Sequence, residues 1–370
     1  MLTNLTTNPI HSGALSTRAS DSDERLAYIA LALIPGLGAR RLAALLSRFG
    51  SASAALQHTS HPPMDAAAAL IEKSERDGIE VLTPADERFP RQLRSIPDPP
   101  IMLFSRGRLD LVALPAVAIV GSRDHTGYGR DVARMLATAA AHAGIVVVSG
   151  MARGLDAVAH SAALDSGGTT IGVLGNGIGV VYPAANRELY DRVEGEGLLL
   201  SEFQPGERPT AYSFPRRNRL ISGLASVVVV VEAAKGSGTL LTVGAALEQG
   251  KDVMAVPGPI TWNTSDGTNQ LIRDGADPLL EVGDLLAKYS HVAREVPATT
   301  GAIGPPPCTL SGNEAQVFNC LTVEPRHVDL IAEGAGLPIG TLLGVLCGLE
   351  LGGLVEQIPG SLFRRVLRTR

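Results

Sequence analysis

Six short apolar runs set the terms for the whole chain: AVAIVG from Ala116, IVVVSG from Ile145, TIGVLG from Thr170, LLLSEF from Leu198, VVVVVEA from Val227 and DVMAVPG from Asp252. Their apolar residues are consecutive rather than alternating, the pattern of strands covered on both faces. Amphipathic stretches separate them. The stretch after the first run puts Val132, Met135, Leu136, Ala139, Ala140 and Ala143 on one helical stripe, wide enough to cover one face of a sheet. Strands and helices in this alternation predict an α/β fold over residues 83–290, a doubly wound, mostly parallel sheet of the extended Rossmann-like type.

The flanks read differently. Residues 1–22 lack the basic-then-apolar order of a secretory signal and read as a disordered tail. Residues 23–82 read as a small helical domain, with Leu26, Ile29, Ala30 and Leu33, then Leu42, Leu45, Leu46 and Phe49, at helical spacing. The prolines and glycines of 291–307 read as a linker. In 308–370, Ser311 and Glu314 form a capping box before a helix. Helical patterns follow around 328–332 and 339–349, and then an alternating stretch turns at Pro359-Gly360. Three helices and a hairpin predict a winged helix. Five arginines against six acids there leave DNA binding and protein–protein contact equally open.

Composition narrows the partners. The chain has 370 residues, 45% hydrophobic and 19% charged, with a net charge of -5, which excludes collagen-like and disordered classes and predicts a soluble protein of two to three domains. No apolar run reaches membrane-spanning length, so no membrane partner is expected. Cys308, Cys320 and Cys347 form no CxxC pair, so a reducing, cytoplasmic compartment is expected and no metal site is readable. A mildly acidic chain does not coat nucleic acid by bulk charge; any contact has to come from a local patch.

In an open parallel sheet, ligands sit beyond the carboxyl ends of the strands. After the first run stand Gly121, Ser122 and Arg123, an anion cradle with a full charge. This is not the dinucleotide fingerprint, because the second run ends without a ribose-binding acid, so no nicotinamide or flavin cofactor is expected. The second run leads into Gly150, Arg153 and Gly154, then a helix with Asp156 and His160 one turn apart, read as a local hydrogen-bonding pair. The third ends in Gly175, Asn176 and Gly177. The densest patch is Phe214, Arg216, Arg217, Asn218 and Arg219, charge beside a stacking ring, which is what a single strand requires. Glu202 and Glu232 close the fourth and fifth runs, read as partners of these arginines rather than as an acid–base pair. Lys235 to Thr239 resembles the PGGxGTxxE signature of lysine-decarboxylase-like phosphoribohydrolases, but Thr242 occupies the position of its acid.

Taken together, GSRDHTGYG, SGMARGLDAVAHSAAL, TIGVLGNGIGVVYPAANREL, LLLSEFQPG, FPRRNRLISGL, VVVVVEAAKGSGTLLT, ALEQGKDVMAVPG and LIRDGA resemble the DNA processing protein A family (DprA, or Smf), from about Phe89 to Ala276. The resemblance implies a cytoplasmic mediator, not an enzyme. It would bind single-stranded DNA, protect it, and load the RecA recombinase during natural transformation (competence) and recombination, with a SAM-like domain in front and a winged helix behind. It implies a phosphate pocket at Gly121, Ser122 and Arg123, walled by the loops at 150–154 and 175–177 and by Arg217, Asn218 and Arg219. Two departures stand out: Ala184 follows Tyr182-Pro183 where several relatives have a lysine, and Gly179 replaces a usual aspartate. Homodimerisation is expected through Leu271 and Ile272. Ile34-Pro35-Gly36-Leu37-Gly38, followed by Arg40 and Arg41, reads as the hairpin of a helix-hairpin-helix, for a duplex phosphate or for packing alone. The competing readings are a nucleotide-processing hydrolase and a winged-helix regulator.

Overall fold

The computed structural model describes residues 13–290, 310, 312–322 and 325–366, with backbone alone over 13–21. The chain opens with α1 (Gly13–Ala32), α2 (Ala39–Phe49), α3 (Ala52–Gln57) and α4 (Met64–Arg76). Helix α1 therefore begins inside the stretch expected to be a tail. Once its buried half is nucleated by packing, each further residue adds one hydrogen bond at little cost; residues 1–12 lie outside the described residues. Ser51 caps α3 by accepting from the Ala54 amide at 3.0 Å, and the Glu24 carboxylate accepts from the Ser53 amide at 2.9 Å. An anion over a helix start is favourable twice, by hydrogen bond and by dipole.

The central sheet has nine strands: β1 (Glu80–Leu82), β2 (Leu103–Gly107), β3 (Ala116–Val120), β4 (Val146–Ser149), β5 (Thr170–Leu174), β6 (Leu198–Ser201), β7 (Val227–Val230), β8 (Asp252–Ala255) and β9 (Asp277–Pro278), in the order β1-β2-β6-β5-β4-β3-β7-β8-β9. All six apolar runs are strands, and they pair in parallel. Sequence reasoning did not find β1 and β2, which extend the sheet antiparallel beyond β6. The sheet thus starts at Glu80, inside the stretch assigned to the helical domain.

Helices follow the strands: α5 (Arg91–Arg94) before β2, then α6 (Gly127–His142), α7 (Leu155–Asp165), α8 (Arg187–Glu196), α9 (Ser213–Leu224), α10 (Thr239–Glu248), α11 (Asp266–Arg273) and α12 (Val282–Ala287). Val132, Leu136, Ala140 and Ala143 of the expected stripe of α6 do cover one face, with Leu155, Ala159 and Leu285, but Ala133 and Ala137 rather than Met135 and Ala139 complete it, the covering face being rotated slightly from the one expected. On the other face Leu220, Ile221 and Leu224 of α9 and Val243 and Ala246 of α10 meet the alternate strand residues. Strands with both faces covered need no polar alternation, which is why the runs are continuous. Truncating fully buried Leu136 to Ala would cost about 2–5 kcal/mol.

The carboxy-terminal unit is a winged helix, with α13 (Asn313–Cys320), α14 (Val328–Ala335), α15 (Ile339–Leu351) and a small sheet of β10 (Arg326–His327), β12 (Leu362–Arg365) and β11 (Val355–Ile358). Ser311 and the linker 291–307 lie outside the described residues. Among the described residues no single helix is long and apolar enough to cross a membrane.

Candidate nucleic-acid interface

Strand β3 pairs with β4 on one side and β7 on the other, so the connections from its carboxyl end diverge and leave a crevice there. The loops after β3, β4, β5 and β7 and the start of α9 line it. Arg123 is exposed at the rim with its guanidinium 5.6 Å from the centre of the Phe214 ring. The Phe214 ring lies 5.5 Å from the half-exposed ring of Tyr182. A cation and two aromatic faces thus stand in a row. On one side of Arg123 the crevice has a volume of about 70 Å³, against Gly150, Asn176 and Tyr182. On the other it widens to about 420 Å³, against Ser122, Asn218 and the Lys235–Thr239 loop. Lys235 is exposed and makes no ion pair among the described residues, so it adds a cation that sequence reasoning tied to a different signature. Arg153 is exposed too, paired with Asp124 at 3.0 Å.

The three arginines after Phe214 have separate fates. Arg217 is buried, only 4% exposed, and donates to the carbonyl oxygens of Gly150, at 2.5 Å, and of Val173. Burial pushes its guanidinium down to about 10, opposed by Asp156 and reinforced by Arg123, so it stays charged at neutral pH. It forms the floor of the crevice rather than an exposed contact for DNA. Arg219 pairs with Glu202 at 2.7 Å and Asp98 at 2.9 Å. Arg216 is exposed but held by the same Glu202, and lies over the Phe203 ring. The network reading of Glu202 holds for these two arginines. Glu232 departs from it: its carboxylate is 2% exposed and accepts from the amide and hydroxyl of Thr126, holding the start of α6 and with it the Arg123 loop.

Asp156 and His160 fix the loop after β4. The Asp156 carboxylate, raised by burial and lowered in part by Arg217, accepts from the Gly150 amide at 3.2 Å. The Thr170 hydroxyl donates to the Val147 carbonyl at 2.6 Å, so His160 Nδ1 donates to that hydroxyl, also at 2.6 Å. Nε2 is then the acceptor for the Met151 amide at 3.4 Å. Burial, then Arg217, pushes the imidazole down to about 3, which keeps it neutral. Met151 is held at φ +52°, an uncommon conformation for a side-chain-bearing residue, and Asn186 bonds its carbonyl oxygen at 3.1 Å.

The glycines are demanded by close approach as much as by amides. A Cβ on Gly150 would lie 2.7 Å from Arg217, and one on Gly154, at φ +83°, would meet the Ser122 and Arg123 carbonyls at 2.5 and 2.6 Å. Gly175 is cleared for Phe214 in the same way. Asn176 is buried, and its amide is spent on the carbonyls of Gly177 and Val180. Asn218 accepts from Arg217 Nε at 3.2 Å. Both serve the shape of the crevice. Of the expected dimer residues, Leu271 packs partly buried on the core and Ile272 is half-buried. Exposed apolar side chains in this part of the domain include Leu247, 63% exposed, Ile260, 91%, and Leu280, 75%. In the amino-terminal hairpin Gly36 takes φ +79°, and Arg41 bonds the Gly36 carbonyl at 3.2 Å.

Residues 80–290 match the family described as DNA recombination-mediator protein A, and residues 302–361 match the DprA winged helix domain. Protein Smf of Synechocystis is 36% identical over 328 residues, which cover 80% of this chain and 82% of that one. The X-ray structure of DNA processing protein A from Streptococcus pneumoniae superposes with a TM-score of 0.61 at 34% identity, covering 70% of this chain and 95% of the other. DNA processing protein A from Helicobacter pylori, described by its unique single-stranded DNA binding mode, superposes at 0.53 with 31% identity, covering 57% and 94%. Matched by the family model over more than half of its length and by a relative 36% identical over 80% of it, this chain belongs to the DNA processing protein A family, DprA or Smf.

Proposed function

We propose that this protein binds single-stranded DNA along the Arg123 crevice, without chemistry, and hands the strand to a RecA-class recombinase in the cytoplasm. The observation that carries the reading is the row Arg123, Phe214 and Tyr182. A guanidinium answers a phosphate and the two rings offer faces to bases, the pair of contacts that sequence-tolerant strand binding uses. The single-stranded DNA binding mode named for the Helicobacter pylori relative supports it. The family description as a recombination mediator supports the delivery step, and with it a role in protecting incoming DNA during natural transformation. Exposed Ile260 and Leu247 support a homodimer, since a twofold contact would remove both from water.

Gel-shift titration of the full chain with single-stranded and duplex DNA at one salt concentration tests the binding step. Preference for the single strand is expected, with log affinity falling by about 0.7 per phosphate contacted for each decade of salt. Equal affinity for both forms rejects the reading. Steady turnover of a nucleoside monophosphate would instead favour the hydrolase alternative, against which Thr242 stands where that chemistry needs an acid.

A further inference from the structure

We propose that the winged-helix domain works docked on the central domain, its wing reading α6 of the same chain rather than a DNA duplex. The contact is a ring of four alternating charges, two from each domain. Arg364 of β12 forms an ion pair with Asp131 of α6 at 2.8 Å and with Glu356 of β11 at 2.8 Å. Arg130 of α6 closes the ring on Glu356 at 2.6 Å and on Asp131 at 3.3 Å. The side chains of Arg364 and Asp131 are 4% and 5% exposed, so this is an enclosed contact and not a solvated surface pair.

Two details make the seat specific. A Cβ on Gly127 would lie 3.0 Å from the Arg364 guanidinium, so the first turn of α6 is cleared for that group. A cation over a helix start is disfavoured by the helix dipole, and only the flanking carboxylates of Asp131 and Glu356 make the position tolerable. The place also matters, because α6 begins where the Arg123 loop ends, at the Thr126 held by Glu232.

The docked domain has little left for a duplex. Arg326 donates to the Cys320 carbonyl at 2.6 Å, and Arg365 donates to the Phe318 carbonyl and covers its ring at 4.2 Å. With Arg364 in the ring, every arginine among the described residues of the domain is engaged. Helix α15 carries Glu350 as its sole charged residue. Duplex affinity arises mainly from cations that neutralise phosphates, and the described residues of the docked wing offer no arginine free of a protein partner.

The test uses the full-length chain and small-angle scattering, with duplex binding measured in parallel. Wild type should be close to the radius of gyration of a compact particle, about 21 Å for one chain or about 27 Å for the homodimer. Asp131→Asn and Arg364→Ala should each raise the radius by roughly 2 Å or more, the double variant should add nothing further, and none should bind duplex more weakly. Asp131→Asn sits outside the winged helix, so its effect cannot come from misfolding of that domain. Additive effects, an unchanged radius in Asp131→Asn, or weaker duplex binding by Arg364→Ala at unchanged radius would each overturn the proposal. Because no single-stranded DNA enters the measurement, its outcome is independent of the strand-binding reading.

Discussion

Arg217 Nη1 donates to the carbonyl oxygen of Gly150 at 2.5 Å, so the charge at the centre of the Phe214–Arg219 patch lies beneath the loop that a strand would touch. Removing it should first be a stability defect. Arg217→Ala leaves the Gly150 and Val173 carbonyls and the Asp156 carboxylate without their partner, and a loss of about 3 kcal/mol is expected, as for breaking an enclosed charge pair. Urea unfolding measures it. A variant of unchanged stability with weakened DNA binding would return Arg217 to the surface.

The rim should behave in the opposite way. Arg123→Ala removes an exposed charge-assisted contact, so strand affinity should drop by about 1.5–3 kcal/mol, roughly ten- to a hundredfold, with no shift in melting temperature. Tyr182→Ala should cost about 1–3 kcal/mol through a lost base stack. Fluorescence anisotropy with oligonucleotides of different sequence distinguishes the two further: the salt dependence should flatten only for Arg123→Ala.

His160 gives the fold a pH dependence of known sign. Folded, its imidazole is pushed down to about 3; unfolded, it titrates near 6.5. Above pH 6.5 both states are neutral and nothing is lost. As pH falls below 6.5 the unfolded chain takes a proton that the folded one refuses, so stability declines by up to about 1.4 kcal/mol per pH unit until pH nears 3. The stability gap between wild type and His160→Gln should therefore shrink by about 2 kcal/mol from pH 7 to pH 5 in denaturant titrations. A gap that stays constant would mean the imidazole is protonated in the fold.

Self-association should depend on Ile260 more than on Leu271. Ile260→Glu places a charge on an exposed side chain and should lower the mass seen in sedimentation without changing the melting temperature. Leu271→Glu buries a charge against the core and should destabilise the fold itself. A dimer that survives Ile260→Glu would move the contact elsewhere.

The parallel strands were legible because each is covered on both faces and so is written as one uninterrupted apolar run. Strands β1 and β2 were not, since Glu80 and Arg106 are polar and both segments are short; their pairing with each other and with β6 is made by backbone groups, which leave little trace in side chains. At the crevice, the residues after Gly121 and Phe214 do come together, as their places at strand ends suggested. Their division of labour was hidden, because Arg216 and Arg219 answer to Glu202 just after β6, and Arg217 to carbonyl oxygens that carry no sequence signature. The wing was legible as a hairpin, yet nothing in the Arg364 neighbourhood names Asp131 as its partner.

Tyr289 donates its hydroxyl to the Ala116 carbonyl at 2.7 Å, which pins the end of the central domain at the start of β3, opposite the crevice. The winged helix is seated at the other end of α6, a helix of 16 residues and so about 24 Å long. Both contacts belong to one chain, so docking is an intramolecular event governed by an effective concentration rather than by free encounter. The ring of charges at Arg364 therefore needs only weak intrinsic affinity to stay closed most of the time, and a competitor for the wing would have to match that local concentration rather than the strength of any one ion pair.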